Sequence, residues 1–119
     1  MRKNRLIEGT YHDGVLLQTY QDGRVSRPRV HPVSHFEEDI YVRFPRKLRE
    51  EFPVGTMFRA RAKVCQKHWD HNGKPKGPLY LHVSEGDVVV IIQSIPNPGL
   101  RAKLKPGTVS GRSYTYVME

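Results

Sequence analysis

The residues from Met57 to Trp69 constrain the fold of this chain more than any other stretch. Phe58, Ala60, Ala62 and Val64 alternate there with Arg59, Arg61 and Lys63. A repeat of two residues is the period of an extended strand with one face buried and the other in water, and no helix can segregate those two sets. Next, Asp70-His71-Asn72-Gly73-Lys74-Pro75-Lys76-Gly77-Pro78 is dense in residues that favour chain reversal. The chain is therefore expected to return as a strand over Leu79–Val83, making a long hairpin. A second turn at Ser84-Glu85-Gly86-Asp87 is expected to lead into Val88–Ile92, whose unbroken β-branched character suits the centre of a core.

The N-terminal third carries an echo nine residues apart, Thr10-Tyr11-His12-Asp13-Gly14 and Thr19-Tyr20-Gln21-Asp22-Gly23. Asp-Gly is a strong hairpin signal, so the echo predicts a three-stranded meander over residues 5–11, 15–20 and 24–30. Residues 27–39 hold no sustained period and read as an irregular crossover. Ile40–Phe44 has strand composition and is closed by Pro45, after which a short helix is expected over about 46–52, stopped by Pro53-Val54-Gly55. A last strand is expected within residues 112–118. The fold class that follows is mostly β: a small barrel or strongly curved antiparallel sheet of seven or eight strands with one short helix. The 119 residues suit a single domain, with residues 97–119 a C-terminal segment whose docking the sequence leaves open.

Composition narrows the function. Twenty Lys and Arg against twelve Asp and Glu give a formal charge of +8, which points to a polyanionic partner, nucleic acid first. The single cysteine, Cys65, rules out an internal disulfide framework. The longest apolar run, Val88–Ile92, falls far short of the roughly 20 residues of a membrane-spanning helix. A cytoplasmic protein with no membrane association is the expectation.

The sharpest candidate site is the polar face of the alternating strand. Arg59, Arg61, Lys63 and Lys67 share one parity, Trp69 continues it, and Tyr80 and His82 of the returning strand face the same way if Leu79, Leu81 and Val83 face the core. Same-face residues two apart lie about 7 Å from each other, near the reach between phosphates of a nucleic-acid strand. Cations interleaved with rings serve phosphate contact and base stacking respectively. Lys74 and Lys76 in the turn add charge. A half-buried strand must be polar on its other face in any case, so the same residues also fit a surface with no ligand. The expected function is a non-catalytic nucleic-acid-binding accessory or regulatory module. The alternative is a protein–protein adaptor or homodimer, since Trp, Tyr and Arg are enriched in those interfaces too.

Other chemistry finds little support. Cys65, His68 and His71, with Asp70 and His82 nearby, have ligand types suited to zinc, but Cys65 and His68 fall on opposite faces of an intact strand, so no metal and no cofactor is expected. Nothing resembles a nucleophile elbow or a phosphate-cradling glycine loop, and the acidic runs Glu37-Glu38-Asp39 and Glu50-Glu51 suit a solvated surface. No catalytic residues are assigned.

Residues 40–64 carry a local resemblance. Ile40-Tyr41-Val42-Arg43-Phe44, a proline-started helix from Arg46 to Phe52, the turn Pro53-Val54-Gly55-Thr56 and the alternating strand after it resemble the AbrB-like swapped-hairpin transcription regulators. The resemblance implies an interlocked dimer that binds DNA. The chain departs from that pattern in a shorter helix-to-glycine segment and in Thr56, where the family commonly has an acidic residue. The family's basic DNA-contacting arm has no clear counterpart, and no residue roles follow.

Overall fold

The computed structural model describes residues 3–68, 72, 75–104 and 115–118. The side chains of residues 68, 75 and 76 are not among the features described. Six strands form one sheet: β1 (Tyr11–Tyr20), β2 (Arg29–Pro32), β3 (Val42–Arg43), β4 (Met57–His68), β5 (Pro75–Ile91) and β6 (Thr115–Val117). Two short helices accompany them, α1 (Arg46–Glu51) and α2 (Pro98–Lys103). The expectation of a mostly β chain holds. The path through the sheet is β2-β1-β4-β5-β3, with β6 also on β5.

The alternating strand sits at the centre. Phe58, Ala60, Ala62 and Val64 are all at most 3% exposed, and β4 pairs antiparallel with β1 on one side and β5 on the other. Val15 and Leu17 of β1 and Leu81, Val83, Val88 and Val90 of β5 meet them inside. Phe44, Phe52, Phe58 and Tyr116 form a chain of rings with successive centroids 5.0 to 6.3 Å apart, joining the end of β3, the end of α1, β4 and β6. Rings at these separations and inclined to one another satisfy the aromatic quadrupole as well as filling space.

Several expectations are corrected. The meander is absent among the described residues, because Asp13-Gly14 does not reverse the chain. Tyr11 to Tyr20 is one strand whose register against β4 shifts between His12 and Val15, three residues of β1 spanning what two of β4 span. Gly14 has φ +66°, the left-handed conformation that such a bulge demands and glycine supplies. Asp22-Gly23 lies within the longer connection, residues 21–28, that joins β1 to β2, so the expected strand over 24–30 is replaced by β2 at Arg29–Pro32, and Gly23 is not left-handed. Ser84–Asp87 likewise interrupts pairing without ending the strand, so β5 runs on for 17 residues. The two interruptions lie on opposite sides of Ala60–Ala62.

The sheet is also mixed rather than antiparallel, since β3 and β6 both run parallel to β5 along its outer edge. The barrel does not close. Edge strands β2 and β3 come within 8 Å between Cα atoms with no ladder between them. The strands number six in the described residues rather than seven or eight.

Helix α1 matches its expected span closely. Pro45, with φ −54°, leads into it, Leu48 is its buried residue, and Arg46 donates to Glu50 one turn on at 2.8 Å. That bond holds the Glu50 carboxyl below its ordinary range. Helix α2 was not expected. Asn97 caps it by accepting the Leu100 N–H at 3.1 Å, Pro98 starts it, and Leu100 and Leu104 pack on the core.

Candidate nucleic-acid interface

With the inner face of β4 fixed by Phe58, Ala60, Ala62 and Val64, its other parity forms the outer face of the sheet. Register then decides which neighbours join it. Tyr11 of β1 lies opposite Lys63, Lys63 opposite His82 of β5, and His82 opposite Arg43 of β3. These four residues form one row across four strands, about 14 Å wide at the usual strand spacing. A second row is Cys65 opposite Tyr80, with Tyr41 beside it at 6.1 Å between ring centroids. Arg61 and Lys67 extend the surface along β4, the two being about 20 Å apart at the rise of a strand.

Rings and cations touch within this surface. The Arg61 guanidinium stands 4.2 Å from the centroid of the Tyr11 ring and the Lys63 ammonium 5.5 Å from the same centroid, while the Lys67 ammonium is 5.9 Å from that of Tyr41. Tyr11 and Tyr41 are 53% and 56% exposed, unusually open for residues that bury well. Arg61 also meets the Asp13 carboxylate of the β1 bulge at 3.3 Å. Both groups are exposed, so this pair orients the guanidinium more than it stabilises the fold.

Arg59 has a different environment. It lies between Leu16 and Val89, is half-buried, and donates from Nη1 to the Gly14 carbonyl at 3.2 Å. It braces the β1 bulge, away from the ring-bearing rows. Tyr80 is half-buried on the outer face, and Lys67 is exposed. Trp69 and Lys74 lie outside the described residues, as does the side chain of Lys76.

Sequence reading missed Tyr11, Tyr41 and Arg43. An Asp13-Gly14 turn would end a separate strand at Tyr11, and that turn does not form. The other two join the face only through the parallel pairing of β3 with β5, a contact between segments some 40 residues apart that no local pattern announces.

His12 packs edge-on against Phe36 with centroids 4.8 Å apart, and Cys65 is half-buried. Among the described residues no three His, Cys, Asp or Glu side chains converge as metal ligands would, and Asp70 and His71 lie outside them. In comparisons with known protein families, curated proteins and solved structures, the chain matches none.

Proposed function

We propose that the outer face of β1, β4, β5 and β3 binds single-stranded nucleic acid as a non-catalytic module. The supporting observation is the interleaving of exposed tyrosines with Arg61, Lys63, Lys67 and Arg43 over about 14 by 20 Å. Cations satisfy the phosphates and the rings offer stacking platforms, a division that works on any sequence because every base has a π-face. Tyr11 sits on β1 and Tyr41 directly precedes β3, so the backbones that carry the rings are already ordered by the sheet, which lowers the entropy lost on binding. The chain's net charge of +8 favours the encounter.

The test titrates the protein with single- and double-stranded oligonucleotides at several salt concentrations. Binding to single strands should weaken with salt, the logarithmic slope falling by roughly 0.7 for each phosphate contact removed. Arg61→Ala with Lys63→Ala should reduce that slope, whereas Tyr41→Ala should cost about 1–3 kcal/mol on single strands and much less on duplex. No binding by the wild type at low salt, or affinity unchanged in the Arg61/Lys63 variant, would remove the face from this role. A partner bound tightly with little salt dependence would mark it instead as a protein-docking surface.

A further inference from the structure

The gap between β2 and β3, where the barrel fails to close, is lined by arginines. Arg24, Arg27 and Arg29 reach it from the β1–β2 hairpin and Arg49 from α1, around a cavity of about 650 Å³. Glu38 and Asp39 stand on its other lip. Arg24 is already tied to Asp22 at 3.5 Å. Arg27 and Arg29 are exposed, and neither has an ion-pair partner among the described residues, nor do Glu38 and Asp39.

Arg49 is the unusual member. It crosses the gap, Nη1 donating to the Pro28 carbonyl at 3.3 Å, while its Nε is sealed from solvent with no hydrogen-bond partner. Glu50, next to it on the helix, is hydrogen-bonded to Arg46 at 2.8 Å and reaches Arg49 only through its charge. A guanidinium so placed is short of acceptors, and a buried charged donor without one is costly.

We propose that this arginine-lined seam binds a phosphate monoester. Such a group carries close to two negative charges and three acceptor oxygens, and guanidinium forks match its geometry in pairs. An internal phosphodiester carries one charge and suits the clustered guanidiniums less. Tyr41 lines both the seam and the ring-bearing face, so a strand lying on that face would bring its end to the pocket. Two sources share this chemistry: the phosphorylated end of a nucleic acid, which rests on the function proposed above, and a free small phosphate, which does not.

The experiment separates them. Inorganic phosphate is titrated into the wild type, Arg27→Gln with Arg29→Gln, Arg49→Lys, and Arg61→Gln with Lys63→Gln, with phosphorus line width followed by NMR. Broadening is expected in the wild type and the Arg61/Lys63 variant, with a loss of tenfold or more in affinity in the other two. Because Arg27 and Arg29 are exposed, their replacement should leave folding intact. In parallel, single-stranded decamers with a 5′-phosphate, a 3′-phosphate or neither are titrated by intrinsic fluorescence. A preference of about tenfold for one phosphorylated end, abolished in the Arg27/Arg29 and Arg49 variants but kept in the Arg61/Lys63 variant, identifies the strand terminus as the source. Phosphate binding without any such preference identifies a free phosphate and leaves the pocket standing even if no oligonucleotide binds. Absence of phosphate binding by the wild type, or binding indifferent to Arg27 and Arg29, overturns the proposal however the oligonucleotides behave.

Discussion

Replacing Phe58 by alanine should test the packing of the whole domain at one point. Its ring is fully buried, 5.0 Å from that of Phe44 and 5.9 Å from that of Phe52, and lies on β4 between Leu17 and Val90. Truncation removes both ring contacts and leaves a cavity that β4, locked between two strands, cannot collapse to fill. Substitutions of this kind cost about 3–5 kcal/mol, against a total stability of about 6–18 kcal/mol for a domain this long. At about 2.1 cal/mol/K of unfolding entropy per residue, the midpoint should fall by roughly 12–20 °C. Equilibrium unfolding in urea, with the slope checked for constancy, measures the loss directly. A double-mutant cycle with Phe52→Ala should add a coupling of about 0.5–1.5 kcal/mol if the two rings meet edge to face. A loss below about 1 kcal/mol with no coupling would mean that the ring chain is not the centre of the core.

Gly55 has φ +104°, a conformation that strains any side chain, and an added Cβ would meet Pro96 Cγ only at 3.5 Å, so Gly55→Ala should cost about 1–3 kcal/mol through the backbone alone. An unchanged thermal midpoint would show a different turn there. Ser94 Oγ accepts the Met57 N–H at 2.7 Å and donates to the Ile91 carbonyl at 2.6 Å, so Ser94→Ala should cost about 1–3 kcal/mol by stranding a partly buried N–H. Ser94→Thr, which keeps the hydroxyl, should recover part of the loss in the same urea titration. In hydrogen exchange the amides of residues 58–64 should be the slowest, while those at Asp13-Gly14 and Ser84–Asp87 should exchange early; uniform protection along β5 would contradict the interrupted pairing.

What the sequence could and could not convey follows from the range of each signal. The inward residues of β4 were legible because burial of one face writes a period of two directly into the chain. Helix α1 was legible from Pro45 and the residues after it. The Asp-Gly pairs were ambiguous by nature, since the same dipeptide suits a tight hairpin, a glycine bulge and a longer loop; pairing decides between them, and Asp13-Gly14, flanked by partners on β4, is a bulge with Gly14 left-handed, whereas Asp22-Gly23 falls in the longer β1–β2 connection. Helix α2 had a local signal in Asn97-Pro98, outweighed by Pro96 and Gly99 around it. The parallel placement of β3 and β6 on β5, and with it half of the candidate face, depends on long-range closure that local composition does not encode.

The interruption at Ser84–Asp87 makes β5 a splice of two half-strands in opposite phase. Ala62 lies opposite Val83 and Ala60 opposite Val88, so five steps along β5 match two along β4 and three residues are surplus. Odd-numbered Leu81 and Val83 face inward before the splice, and even-numbered Val88 and Val90 after it. Each half also carries its own parallel neighbour, β3 on the first and β6 on the second. The surplus residues act as slack: a change of length within them can be absorbed locally, while a single deletion at Leu81 or Val90 would turn half a strand inside out. The chain thus holds one tolerant joint in the middle of its longest strand, where a tag or label could be inserted without disturbing either half.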